Sequence, residues 1–441
     1  MGVGEVGLRL YRTLGNRLQP LAEPFLNRRM RRGKEDPARR GERFGNAGKK
    51  RPDGPLVWAH AASVGETNAV LPLLQRLRDR GLAVLLTTGT VTSAAIAERR
   101  LAAGAVHQYA PLDIPHYVER FLNHWRPGLA LFVESELWPG AMVALAERGV
   151  PLVLVNGRLS ARSYSRWRRV GPFARALMSR IDQCLAQSAD DGRRFEALGA
   201  PCVTICGNLK FDADAPAASE TVLREMREAI GDRPVFVAAS THPGEEEMLT
   251  RALKEIGPPG DNLITIIVPR HPDRGLEIAG AARAQNFTVA LRSAGEPIGG
   301  KTQIYIADTI GEMGLWYRLA TIAFLGGSLI RHGGQNPIEP AKLAVPLMHG
   351  PHIGNFADVY GALQDARAAV LIADQRALQT VLTQLLADGA ERRRLAAAAH
   401  ACVERFTGTL DRTLAALQPF LERLEQGKTE AETGSEYADR A

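Results

Sequence analysis

The chain has 441 residues, 45% hydrophobic, 23% charged and 6% aromatic. That length supports two or three domains with sizeable cores, and the composition excludes a fibrous chain, a disulfide scaffold and a polytopic membrane protein. The net charge of +7 is local: residues 1–51 hold 14 Lys/Arg against 5 Asp/Glu, leaving the rest slightly acidic, which speaks against a nucleic-acid-binding surface and for a basic tether facing an anionic one.

Residues 7–27 predict an amphipathic helix. Leu8, Leu10, Tyr11, Leu14, Leu18, Leu21, Phe25 and Leu26 fall largely on one face, and Arg9, Arg12 and Arg17 lie off it. With the basic run to Arg51, segment 1–51 reads as membrane-associating, lying in the interface rather than spanning it. The alternative is a helix packed on the protein's own body. The start lacks the apolar core and cleavage site of a signal peptide, so the expected compartment is a cytoplasm.

From residue 55, short apolar runs alternate with helical stretches. The runs are 56–61, 82–88, 129–133, 151–156, 181–186 and 202–206, separated by amphipathic segments such as 68–80, 91–103 and 115–125. Continuous Val/Ile/Leu runs joined by helices are the pattern of buried parallel strands, so 52–210 reads as a doubly wound, Rossmann-like α/β domain. Residues 211–219, rich in Ala, Asp and Pro, read as a linker. A second series follows at 235–240, 263–269, 287–291, 303–307, 321–327, 345–350 and 369–373, giving a second Rossmann-like domain over 220–425. Two such domains in tandem are expected to face a cleft. Residues 390–424 read as one long helix or two that pack back across the cleft, and 426–441 as a disordered tail. Cys184, Cys202, Cys206 and Cys402 match no zinc spacing and are expected to be buried free thiols.

The loops after these runs are rich in polar groups. In HAASVGET (60–67), Gly65 lets backbone approach a ligand, and Glu66 sits in the first turn of a helix, either as a base for a hydroxyl or as a helix cap. His60 and Ser63 lack the orienting Asp and the strained elbow of a nucleophilic pair and read as loop-shaping or substrate contacts. In ESELWPG (134–140), Glu134 and Glu136 alternate in an extended stretch, so one is expected to face the ligand and one to support, unless both cap the next helix. Trp138 reads as packing. Lys210, in GNLKFD, is a surface residue or a positive partner for phosphate. In the second half, Arg270 after Pro269 suits a phosphate. The run GGSLIRHGGQNPIEPA (326–341) looks most phosphate-like: Gly333 and Gly334 expose N–H groups, Asn336 caps the helix that Pro337 and Ile338 begin, and Glu339 accepts from ribose.

These strings, in order and over nearly the whole chain, resemble the bacterial 3-deoxy-D-manno-octulosonic acid (Kdo) transferases of lipopolysaccharide synthesis. The resemblance implies a GT-B fold, an inverting transfer from CMP-Kdo to a lipid A precursor, and a site at the cytoplasmic face of a Gram-negative inner membrane. It places the general base at Glu66 and transition-state roles at Glu134 and Lys210. It also implies nucleotide contacts from Ile310, Gly311, Glu312 and Met313, and further donor or acceptor contacts from Ser63, Gly65, Ser240, Thr241 and Gln335. Two residues depart from the family's pattern: Gln335 stands where His is usual, and Gly140 where Asn often follows Trp-Pro. The rival reading is another GT-B enzyme acting on a UDP-sugar.

Asp212 and Asp214 imitate a metal-binding Asp-x-Asp but lie in the expected linker. A CMP-sugar carries a single phosphate, so no metal or other cofactor is expected. Arg158, Arg162, Arg166 and Arg169 belong to an acid-free stretch, expected to meet the acceptor's phosphates or an anionic membrane, the alternative being a solvated face.

Overall fold

The computed structural model describes residues 2–212, 214–256 and 262–438, with side chains described as far as residue 426. Two compact units emerge: residues 1–213 with 407–441, and residues 214–406.

The first unit is built on seven parallel strands: β1 Leu56–Ala61, β2 Ala83–Thr88, β3 Val106–Tyr109, β4 Leu129–Val133, β5 Leu152–Gly157, β6 Gln183–Ala186 and β7 Val203–Ile205. Their order across the sheet is 3-2-1-4-5-6-7, and every described pairing is parallel. Side chains of β1 alternate between two cores, Leu56 and Trp58 on one face, Val57 and Ala59 on the other. Burial on both faces is why these strands are continuous apolar runs. The exception is β3, whose VHQY sequence gives no such signal. Its polar side chains are buried and mostly paired: His107 bonds Thr88 and Arg39, and the Gln108 side-chain oxygen accepts from the Trp125 indole, while its Nε2 has no partner among the described residues.

The second unit repeats the plan with β8 Val235–Thr241, β9 Ile264–Pro269, β10 Val289–Leu291, β11 Ile304–Ile306, β12 Ile322–Leu325, β13 Leu347–His349 and β14 Ala369–Leu371. The sheet order is 10-11-9-8-12-13-14, again parallel.

Two boundaries differ from the sequence reading, and the expected linker, 211–219, does contain the division between the units. The C-terminal helix Thr409–Ala438 belongs to the first unit, not to a domain running to 425. Leu414, Leu417 and Leu421, spaced along one helical face, enter the core with Val57 and Leu86. The chain from 426 to Ala438 continues that helix rather than forming a structureless tail, and 439–441 lie outside the described residues. The expected linker is held at both ends: Asp212 accepts from the Gly408 and Leu410 N–H groups, and Pro216 packs on Gly314 in the second unit. Cys184, Cys206 and Cys402 are buried thiols, whereas Cys202 is exposed.

The N-terminal segment has two faces. The helix Val3–Arg17 packs against the helix Gly171–Met178, with Leu8 in the core and so little room at Gly4 that a Cβ there would lie 2.2 Å from the Pro172 carbonyl. Outward, Val3, Val6, Leu10, Leu14, Leu18, Leu21 and Phe25 are exposed. The basic run after it is not all free. Arg43 is buried against Glu35 and the Ala110 carbonyl, Arg39 grips Glu42, and Arg51 bonds the Trp125 carbonyl. Arg28, Arg31, Arg32 and Lys34 are exposed. No described helix is long and apolar enough to cross a membrane.

Candidate active site

In the first unit the site residues gather where β1, β4 and β5 end. Ser63 caps the helix Val64–Asp79 and Glu66 is its third residue. The two side chains are tied to each other and to the helix start: the Glu66 N–H donates to Ser63 Oγ at 3.3 Å, Ser63 Oγ donates to Glu66 Oε1 at 2.8 Å, and the Ala62 N–H donates to Oε2 at 2.7 Å. The carboxylate is thus held in one rotamer. Burial pushes its pKa above the ordinary value, and the charges of Glu136 and Glu134 push the same way against Ser63 and Ala62. Cap and base are therefore compatible readings of one residue. The space a Cβ would take at Gly65 is open, its nearest neighbour being Ser63 Oγ at 4.0 Å.

Glu134 follows β4 and takes a left-handed backbone, φ 58°. A non-glycine residue held there is strained, and such strain concentrates at functional sites. Its carboxylate accepts from Lys210 Nζ at 2.7 Å. Lys210 is placed by Asn208, whose side chain caps the short turn Leu209–Phe211, and the Leu209 N–H donates to Asn156 Oδ1 at the end of β5. Asn156 is also left-handed, φ 54°.

Glu136 points to a second set. It accepts from the Trp138 indole at 2.6 Å and lies 3.5 Å from His60 Nε2, while His60 Nδ1 contacts Thr87 at 2.9 Å. Burial pushes the Glu136 carboxyl up, but His60 and Trp138 outweigh it and leave it below the usual range. His60 is thus a buried support. Trp138 packs against its ring at 5.0 Å between centroids. Gly140, the departure from the family pattern, leaves space for Asp113: a Cβ would lie 2.6 Å from Asp113 Oδ1, which with Oδ2 takes the N–H groups of Gly140 and Ala141.

In the second unit, β8 ends at Ser240, left-handed at φ 54°, and Thr241. Beyond them His242 lies against His332, 3.8 Å between centroids with the rings tilted by 32°, and meets His271 edge-on at 6.1 Å. Burial, followed by His332, His271, Arg270 and Arg274, pushes His242 down to about 4. Gln335 Nε2 reaches His242 Nε2 at 3.0 Å. Arg270, following Pro269 at the end of β9, is exposed, and among the described residues no carboxylate pairs with it. This imidazole cluster was not singled out by the sequence, because its members come from three separate loops.

The glycine-rich run is not the open anion cradle that its composition suggests. The Gly327, Ser328 and Leu329 N–H groups all donate to the carboxylate of Glu245, which is fully buried and also accepts from the His242 N–H. The Gly334 N–H goes to the Gly327 carbonyl. Gly326 is required by close approach, a Cβ there lying 2.3 Å from the Ser240 carbonyl, so the run is fastened to the end of β8. Gly333 is left-handed at φ 102° and accepts from the Asn355 N–H. Asn336 accepts from the Ile338 N–H and donates to Glu339, but it is not the expected cap: the helix starts at Ile338, one residue later than the sequence suggests, and its N-cap position is Pro337, which supplies no side-chain bond. Ile310 is exposed beside Gly311, but Glu312 is held by two bonds from Arg292 and one from Thr309, and Met313 begins a short helix.

Comparison with known proteins identifies the family. A family model described as 3-deoxy-D-manno-octulosonic-acid transferase (kdotransferase) matches residues 38–213, the stretch holding Ser63, Glu66, Glu134 and Lys210. A 3-deoxy-D-manno-octulosonic acid transferase of Bordetella pertussis is 39% identical over 392 residues, covering 86% of this chain and 91% of that one. The chain belongs to the Kdo transferase family. The Haemophilus influenzae protein of the same name is 34% identical, covering 86% of this chain and 90% of its own. A Kdo transferase is a glycosyltransferase, and the two parallel-sheet units resemble the GT-B plan. The crystal structure of a glycosyltransferase from Rickettsia africae covers 84% of this chain and 99% of its own with a TM-score of 0.57, and at 12% identity that likeness concerns the fold.

Proposed function

We propose that this Kdo transferase moves Kdo from CMP-Kdo to a hydroxyl of a lipid A precursor, with inversion and no covalent enzyme intermediate. The observation that carries the reading is Glu66, a carboxylate fixed by two donors at a helix start and raised in proton affinity by burial. Such a group takes the proton of the acceptor hydroxyl as its oxygen attacks the anomeric carbon of Kdo. The bond from that carbon to phosphate breaks, and CMP leaves with the electron pair. Glu134 and Lys210, ion-paired and rigidly placed, act on the charge that develops. The CMP-Kdo contacts come from the second unit: Ser240 and Thr241 at the end of β8, Gln335 in the run after β12, Arg270, the 310–313 segment and the 336–339 turn.

No metal is needed in this reading, because a monophosphate leaving group asks for no bridging cation and Asp212 already caps the C-terminal helix. The test is the product. Mass spectrometry after incubation with CMP-Kdo and a tetra-acylated lipid A precursor is expected to show Kdo added, equally with EDTA present. Turnover of UDP-sugars instead, or a Mg²⁺ requirement, contradicts it.

The acceptor lies in a membrane, and the first unit carries a matching surface at the inner membrane's cytoplasmic face. The exposed apolar face of Val3–Arg17 joins, through the ring contacts of Tyr11, Phe173 and Trp167, the helix Ala161–Arg169. Arg162, Arg166 and Arg169 are exposed on that helix, with Arg158 half-buried before it. Each basic side chain near an anionic bilayer contributes about 1 kcal/mol, so reversing Arg166 and Arg169 to Glu is expected to weaken binding to anionic vesicles by about thirtyfold or more. Unchanged co-sedimentation with such vesicles would assign these arginines to a solvated face.

A further inference from the structure

The N-terminal helix is tied to the rest of the unit in an uneven way. Tyr11 and Arg12, neighbours in sequence, hold opposite ends of one other helix, Pro139–Glu147. Tyr11 OH donates to Asp113 Oδ2 at 2.9 Å. The same Asp113 carboxylate takes the Gly140 and Ala141 N–H groups, each at 2.8 Å, and so caps the helix from outside, its own N-cap residue Trp138 supplying no side-chain cap. At the other end Arg12 pairs with Glu147, the last residue of the helix, and lies 3.7 Å from Glu119.

What precedes Pro139–Glu147 is the Glu134–Trp138 loop. Trp138 is the N-cap residue, its indole holds Glu136, and Glu136 reaches the buried His60. A contiguous set of short contacts therefore runs from a surface helix with an exposed apolar face to the carboxylates around Glu66. Helix caps fix where a helix begins, and a shift at residue 140 is felt at once by Trp138.

We propose that Tyr11, Arg12 and Asp113 are positioning residues for the transfer reaction, which make the geometry of the Glu134–Trp138 loop depend on how the N-terminal helix is seated. The inference rests on the catalytic reading given above for Glu66 and this loop. It makes the helix that would meet the membrane part of the catalytic apparatus without touching substrate.

The test uses the full chain as wild type, Tyr11→Phe and Glu66→Gln, with CMP-Kdo and detergent-dispersed lipid A precursor. Tyr11→Phe removes one hydroxyl and keeps the ring against Phe173. Its kcat is expected to fall roughly 3- to 30-fold, the range of coupling through packed networks, with the KM for CMP-Kdo unchanged. Amide exchange is expected to quicken at Gly140 and Ala141 and not at Leu152, whose N–H is held by Asp182. Arg12→Gln, which loosens the other end of the helix, is expected to lower kcat in the same sense. Wild-type kcat in Tyr11→Phe overturns the coupling whatever Glu66→Gln does. A loss of kcat with unchanged exchange at Gly140 and Ala141, or with equal quickening at Leu152, overturns it too. Wild-type turnover in Glu66→Gln instead removes the base assignment and leaves the Tyr11 result to decide the coupling.

Discussion

Glu66→Gln is expected to lower kcat by about 10²- to 10⁴-fold, the usual contribution of a positioned general base, while the protein stays folded. The amide keeps the shape of this helix start: its oxygen accepts from the Ala62 N–H and its NH₂ faces Ser63 Oγ, which then accepts instead of donating. The sign of the stability effect follows from the pKa direction. Burial raises the folded pKa of Glu66 above its unfolded value. Its contribution to stability is therefore fully present below the unfolded pKa and is lost as pH rises through the folded one. Above that pH the Gln variant is at least as stable as wild type, so inactivity there cannot be blamed on unfolding. Activity runs the other way: the base must be ionised, and wild-type kcat is expected to climb with pH through the Glu66 transition. Rate profiles against pH, with melting curves on the same samples, check both. A Gln variant that turns over at the wild-type rate would leave Glu66 as a helix cap alone.

The parts of the site that the sequence reveals are those whose partners are local. Glu66, its cap Ser63 and the helix start lie within four residues, so one string carries the geometry. Parallel strands buried on two faces must be continuously apolar, which is why thirteen of the fourteen runs are visible and β3 is not. The VHQY strand is paid for by Arg39, Thr88 and Trp125, none adjacent to it in sequence. Glu134 and Glu136 show the limit of alternation. They do diverge, one to Lys210 and one to His60, but Glu134 leaves the extended backbone at φ 58° and finds a partner 76 residues on. The C-terminal helix displays its Leu414, Leu417, Leu421 stripe plainly, yet a stripe names no destination, and only the structure assigns it to the first unit.

The glycine-rich run was the least legible element, and its correction leads to the largest expected effect on stability. Four backbone N–H groups, from His242, Gly327, Ser328 and Leu329, converge on the two oxygens of Glu245, each oxygen taking two. The protein has placed an internal carboxylate where a phosphate loop would place an anion. Glu245→Ala strands all four donors. At about 1–3 kcal/mol for each buried donor left unsatisfied, the cost is at least about 4 kcal/mol, a large share of the roughly 5–15 kcal/mol that holds a domain folded. Glu245→Gln is expected to be nearly as damaging, because its NH₂ would confront two N–H groups that need an acceptor. Both variants are expected to melt far below wild type and to lose the stabilisation expected of wild type on adding CMP, since Ser240 and Gln335 hang on the same loop through Gly326. Glu246→Gln is the matched control. It weakens the pair with Arg274, which keeps Glu277, and disturbs no backbone donor of the run. Calorimetry with and without CMP separates the outcomes. A Glu245→Ala protein that melts and responds to CMP as wild type does would mean that the four N–H groups find other acceptors, and that the loop is shaped by its glycines rather than by the carboxylate.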